Sequence, residues 1–273
     1  MDNSIKLNNG VEMPIIGFGV YQAQSGTETV NAVKDALTAG YRHIDTAMIY
    51  GNESSVGKGI AQSGVNRKDI FVTTKIWNGD IRNNNVKAAF ETSLGEMNMD
   101  YIDLYLMHWP AQGYLEAWKG MEKLYASGKV KAIGVSNFQI SHLKELMKTA
   151  KITPAVNQIE AHPKLRNQEV IDFCHEEGIA VTAWSPLGAS KNNLIENSTL
   201  IEIAKKYNKT TAQVMLRWNI QRNVIVIPKS VHKDRIISNL NVFDFELSSG
   251  DIEKINGLNE NKRVGPDPDN FDF

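Results

Sequence analysis

The sequence comprises 273 residues, 42% hydrophobic and 22% charged, with 30 Lys and Arg against 31 Asp and Glu. A net charge of −1 without a basic half leaves neither a polyanion nor an anionic membrane surface as an expected partner. The single cysteine, Cys174, permits no internal disulfide and no cysteine-type zinc site, and fits a reducing, cytoplasmic compartment.

In chain order, the start Met1-Asp2-Asn3-Ser4 carries no basic n-region, so no secretory leader is expected. A hairpin is predicted from Ser4 to Leu7 and from Val11 to Met13, turning at Asn8-Asn9-Gly10. Short apolar runs then follow at Ile15-Ile16-Gly17, His43-Ile44-Asp45, Ile70 to Lys75, Ile102 to Met107, Ala132 to Val135, Ala155 to Ile159, Ile179 to Trp184 and Val224 to Ile227. None approaches the ~20 apolar residues that cross a bilayer. Helical periods separate them: Thr27 to Ala39, ended by Gly40, then Arg82 to Met97, Leu115 to Ala126, Ile140 to Lys148 and Gln168 to Glu177. Thr210-x-x-Gln213 reads as a capping box opening a helix to Ile220, and Ser248-x-x-Asp251 is a looser form of the same signal.

Eight strands alternating with helices, and no Pro/Gly/Ser linker, predict an α/β chain folded as one (β/α)8 TIM barrel over residues 1–273, with an N-terminal hairpin and two extra helices. An open doubly wound sheet is the competing architecture. It would place Gly-x-Gly-x-x-Gly between the first strand and its helix, but Gly17-Phe18-Gly19-Val20-Tyr21-Gln22 lacks the third glycine.

In a barrel the chemistry gathers where strands end, because the βα loops build the active face. Polar residues collect at those positions: Asp45 with Tyr50 shortly after, Lys75, His108, Ser136-Asn137, Gln158, Trp184-Ser185 and Lys229-Ser230. Singly, each has a structural explanation as a cap, a solvated charge or a satisfied core group. Together, Asp45, Tyr50, Lys75 and His108 form a set suited to proton transfer. A phenol with a pKa near ~10 becomes a useful proton donor when a nearby cation stabilises its phenolate. Lys75 can be that cation, Asp45 can hold it, and His108 can offer an N–H to a carbonyl oxygen. Other chemistries have weaker support. Gly134-Val135-Ser136-Asn137-Phe138 misses the last glycine of a nucleophile elbow, Cys174 lies in a predicted helix, and no His pair has metal-ligand spacing.

Ordered motifs run through the whole chain: Gly17-Phe18-Gly19, the stretch from Gly40 through Asp45 and Tyr50 to Glu53, Lys75-Ile76-Trp77, Tyr101 to Pro110, Ile133 to Phe138, Asn157 to Glu160, Trp184 to Gly188 and Ile227 to Ser230. In these the sequence resembles the aldo-keto reductase superfamily. It is most similar to the small bacterial branch of glyoxal and methylglyoxal reductases and 2,5-diketo-gluconate reductases. The resemblance implies a (β/α)8 barrel, NADP(H) as cofactor, and Asp45, Tyr50, Lys75 and His108 as catalytic residues with Tyr50 as general acid. It also implies that Ser136, Asn137 and Gln158 hold the nicotinamide carboxamide and that Trp184 stacks under the ring. Ser185, Leu187 and Gly188 would follow the pyrophosphate, with Gly19, Val20, Tyr21 and Asp45 lining the cofactor. Lys229, Ser230, Val231 and Arg235 match the segment that binds a 2′-phosphate, and Asn239 matches an adenine contact. The sequence departs from the family pattern at Met48, Ala161 and Ser238.

For substrate, the resemblance implies small or medium aldehydes and 2-oxoaldehydes bound by Tyr50, Trp77, His108 and Trp109. A short connection, Ala111 to Tyr114, and a brief tail, Val264 to Phe273, predict an open mouth, with Tyr21 as a further apolar wall. A keto-sugar reductase and a non-catalytic nucleotide-binding barrel are the alternatives. A monomer is expected.

Overall fold

The computed structural model describes residues 4–189 and 193–273; the opening Met1-Asp2-Asn3 lies outside them. β1 (Ser4–Lys6) and β2 (Glu12–Pro14) form the antiparallel hairpin, with Ile5 opposite Met13 and Gly10 at a positive φ of 86° in the turn. Asn8 and Asn9 donate side-chain hydrogen bonds to the carbonyls of Pro154 and Lys131, which attaches the hairpin to the N-terminal ends of barrel strands.

Eight parallel strands follow: β3 (Phe18–Gly19), β4 (His43–Asp45), β5 (Phe71–Ile76), β6 (Ile102–Met107), β7 (Val130–Ser136), β8 (Val156–Glu160), β9 (Ala180–Trp184) and β10 (Val224–Val226). They pair in chain order, and β10 returns to the segment before β3 through a parallel bridge between Ile16 and Val226. Gly17 donates to the Val226 carbonyl at 2.8 Å and Val226 to the Ile15 carbonyl at 3.0 Å, so the sheet closes. Both β5 and β6 are buried along their full length; β6 reads as a nearly continuous apolar run, whereas β5 carries Thr73, Thr74 and Lys75 into the interior.

The helices are α1 (Thr27–Ala39), α2 (Glu53–Gln62), α3 (Asn78–Arg82), α4 (Val86–Met97), α5 (Tyr114–Ala126), α6 (Ile140–Met147), α7 (Gln168–Glu176), α8 (Ser198–Tyr207), α9 (Thr211–Gln221), α10 (Lys233–Leu240) and α11 (Ser249–Asn256). α8 and α11 are the two full helices beyond the eight crossovers, and α3 adds one turn. The capping box opens α9, with the Thr210 hydroxyl accepting from the Gln213 amide at 3.2 Å and the Gln213 side chain accepting from the Thr210 amide at 2.9 Å.

Two elements differ from the sequence expectation, and a third has no predicted bounds. The first strand is regular at Phe18–Gly19 instead of Ile15 to Gly17, because Ile15 to Gly17 is used for closure against β10. A Cβ at Gly17 would collide with the His43 ring, so only glycine lets the chain pass so close. The helix expected from Arg82 is two helices, broken at Asn83-Asn84-Asn85, where Asn84 takes a left-handed φ of 51° that asparagine tolerates. α2 is the helix that the strand–helix alternation requires after the second strand, but its bounds are not legible in the sequence, since its two glycines lower helix propensity. They are needed for packing: a Cβ at Gly57 would strike the Met97 carbonyl, and one at Gly59 would lie 2.8 Å from Val33 Cβ.

Candidate active site

Each polar residue singled out at a strand end lies on the same rim, because all eight strands are parallel and end together. At its centre is a buried ion pair. Lys75, with no exposed surface, donates from Nζ to Asp45 Oδ1 at 2.6 Å and to the Thr46 carbonyl at 2.7 Å, and Asp45 itself is 2% exposed. The second carboxylate oxygen of Asp45 accepts from Gln158 Nε2 at 2.8 Å. Fixed in this way, the ammonium lies 5.2 Å from the centroid of the Tyr50 ring. A 3-10 turn over Met48–Tyr50 delivers that ring, and Met48, a departure from the family pattern, packs partly buried against the core.

His108 faces Tyr50 at 5.6 Å between ring centroids, and Trp77 at 5.3 Å, both edge to face. Burial, reinforced by the Lys75 charge, holds the imidazole pKa well below its usual value, so the ring is neutral at pH 7. Its Nδ1 is buried without a partner. The tautomer that carries hydrogen on Nε2 leaves only an acceptor unpaired, and it is the one we assign. Burial, then the nearby Asp45 and Tyr21, pushes the Tyr50 phenol well above its ordinary range, keeping it protonated. Burial also lowers the Lys75 ammonium, opposed by Asp45.

A second network extends along the next three strands. Ser136 Oγ donates to the Gln158 carbonyl at 2.8 Å, and Asn137 Nδ2 donates to the His108 carbonyl at 2.9 Å. Trp184 Nε1 donates to Asn137 Oδ1 at 2.8 Å, so Asn137, at a left-handed φ of 64°, joins the imidazole strand to the indole. These groups satisfy one another, and a carboxamide ligand would exchange for some of their bonds.

The remaining candidates line the rim on either side. Ser185 and Gly188 have positive φ, at 47° and 75°, in a tight turn closed by a 2.8 Å bond from the Gly188 amide to the Ser185 carbonyl; Leu187 packs against the core. A Cβ at Gly19 would lie 3.0 Å from the Ile227 carbonyl, and Val20 is fully buried. Ser230 and Asn239 are buried, Val231 is partly so, and Lys229 and Arg235 project into solvent. Lys229 reaches only the Gln22 carbonyl, at 3.3 Å, and neither cation has an acidic partner among the described residues. Two uncompensated cations beside a buried hydroxyl, next to a glycine-lined rim, fit a phosphorylated dinucleotide. Ser238, another departure, gives its carbonyl to Gln213 Nε2 at 2.9 Å.

One expectation about the mouth, that of an open tail, needs correction. Tyr21 is 57% exposed, with its ring 5.0 Å from Tyr50, and so stands at the rim of the mouth and not in the core. The tail, expected to leave the mouth open, folds across it. Phe273 stacks on Trp77 at 5.8 Å and 6° between planes, and Phe271 lies 5.1 Å from Trp109. Asn78 and Arg82 donate to the Phe273 main-chain oxygen at 3.0 and 2.6 Å. Two phenylalanines two residues apart in an otherwise polar tail were the available signal.

The aldo/keto reductase family model matches residues 15–260. The chain belongs to the aldo/keto reductase family. It is 51% identical to the glyoxal reductase of Bacillus subtilis, over 100% of this chain and 99% of that protein. It is 44% identical to methylglyoxal reductase DkgA of Escherichia coli K12, covering 98% and 97%. The crystal structure of the Bombyx mori aldo-keto reductase AKR2E4 in complex with NADP superimposes with a TM-score of 0.92 at 38% identity, covering 97% of this chain and 95% of that one. As a family member, this aldo-keto reductase is an oxidoreductase of carbonyl groups on a (β/α)8 barrel.

Proposed function

We propose that this aldo-keto reductase uses NADPH to reduce small and medium aldehydes and 2-oxoaldehydes of the glyoxal and methylglyoxal type, with Tyr50 as general acid. The observation that carries the reading is the fully buried Lys75 ammonium, fixed by Asp45 and facing the Tyr50 ring at 5.2 Å. A buried cation beside a protonated phenol is arranged to receive charge that appears only when the phenol gives up its proton.

Bound NADPH supplies the hydride; the chain supplies position, charge and the proton. Ser136, Asn137 and Gln158 would hold the nicotinamide carboxamide, Trp184 would lie against the ring, and Lys229, Ser230 and Arg235 would take the 2′-phosphate. His108 Nε2–H and the Tyr50 hydroxyl would hold the carbonyl oxygen and so orient the carbon. As charge develops on that oxygen, Tyr50 donates its proton, and Lys75 stabilises the phenolate until solvent reprotonates it. Asp45 holds the ammonium in place. The closed barrel also supports the action of residues 1–273 as one catalytic unit, and the single cysteine, Cys174, supports a reducing cytoplasm. The names of the Bacillus subtilis and Escherichia coli relatives support the substrate class.

The test is NADPH absorbance with methylglyoxal, benzaldehyde and a keto-sugar. Turnover of the first two above the third agrees with the proposal. Nucleotide binding without turnover of any of them would favour a regulatory barrel, and absence of NADPH binding would defeat the reading.

A further inference from the structure

We propose that Glu160 is a positioning residue whose carboxylate latches the 264–273 tail over the mouth, setting the aromatic wall and the seat of Trp184. The proposal rests on the reading of this mouth as the substrate site. Glu160 ends β8 with 1% exposure, and among the described residues no lysine or arginine pairs with it. Its charge is met by N–H donors alone. Oε1 accepts from the Val264 amide at 2.6 Å and from His162 Nε2 at 2.9 Å, and Oε2 accepts from the Gly265 amide at 3.2 Å. An ionised carboxylate stays buried only while such donors remain, so the chemistry of Glu160 requires a docked tail.

The consequence reaches the candidate cofactor site directly. A Cβ on Gly265 would lie 2.5 Å from Trp184 Cη2, so the latched backbone rests against the indole. Asn137 holds Trp184 Nε1 at 2.8 Å, and the ring is therefore held by Asn137 on one atom and backed by the tail on another. Beyond the latch the same tail carries Phe271 and Phe273 onto Trp109 and Trp77. One buried carboxylate thus couples the seat of the indole to the aromatic wall.

Two variants test the latch on the full chain. Glu160→Gln preserves size, but either orientation of the amide sets an N–H against a donor that the carboxylate accepted. Gly265→Ala leaves Glu160 and His162 intact and drives a methyl group into Trp184. We expect tryptic cleavage after Lys262 and Arg263 to accelerate about tenfold in both, as the tail opens more often. The quenching of tryptophan fluorescence by NADPH should require several-fold more nucleotide. KM for benzaldehyde should rise about five- to tenfold, from loss of contacts with the two phenylalanine rings, with kcat within about twofold. KM for methylglyoxal, which offers no ring to that wall, should change less than about twofold. Unchanged cleavage in both variants would overturn the latch, as would equal rises in both KM values. If the wild type reduced no carbonyl, proteolysis and fluorescence would still decide the latch, independently of the reductase reading.

Discussion

Replacing Lys75 by methionine removes the charge on which the proposed proton transfer depends and keeps most of the side-chain volume. At 5.2 Å from the Tyr50 ring centroid, a unit charge in an effective dielectric of about 20 stabilises a phenolate by about 3 kcal/mol. That corresponds to about 200-fold in rate if the phenolate is fully developed, and less if it is only partly formed in the transition state. The same substitution strands the Asp45 carboxylate, leaving Gln158 Nε2 as its described side-chain donor. Breaking a buried pair from one side costs about 3–5 kcal/mol of stability. Lys75→Met should therefore lower kcat with methylglyoxal by about two orders of magnitude at saturating NADPH and lower the urea midpoint. The double variant Asp45→Asn/Lys75→Met should recover much of the stability and none of the rate. A folded Lys75→Met protein with kcat within about threefold of wild type would refute the electrostatic argument.

Lys229→Ala and Arg235→Ala should each reduce the preference for NADPH over NADH by about tenfold, read as the ratio of kcat/KM values, because each removes a charged contact to a 2′-phosphate. Burial pushes the His43 pKa down to about 3, against an ordinary value near 6.5. The unfolded chain therefore binds a proton below pH 6.5 that the fold refuses, and stability falls as pH drops from 6.5 toward 3. Between pH 7 and 5 this residue should account for about 2 kcal/mol of lost stability, measurable by urea denaturation as a smaller loss in His43→Gln than in wild type.

The strands and three of the four central polar residues were legible because a buried parallel strand is a short run rich in apolar residues. Asp45, Lys75 and His108 stand at or just past the C-terminal ends of such runs. Tyr50, in a 3-10 turn beyond β4, was legible through its place in the motif shared with the family. Features set by contacts distant in sequence were not legible. The bounds of α2 were hidden because Gly57 and Gly59 answer to Met97 and Val33, and not to local helix propensity. The closure of the mouth depends on Phe271 and Phe273 meeting Trp109 and Trp77, and Glu160 binds amides 104 and 105 residues further along the chain. Nor does any spacing report that Asn137 is engaged by both the His108 carbonyl and the Trp184 indole.

The most direct test of the account is Tyr50→Phe, which deletes the one oxygen assigned to proton donation and keeps the ring beside Lys75 and His108. NADPH affinity, read by quenching of tryptophan fluorescence, should stay within about twofold of wild type, while kcat with methylglyoxal falls by about 10²–10⁴. Turnover at wild-type rate in a variant that binds NADPH normally would contradict the assignment of Tyr50 as general acid.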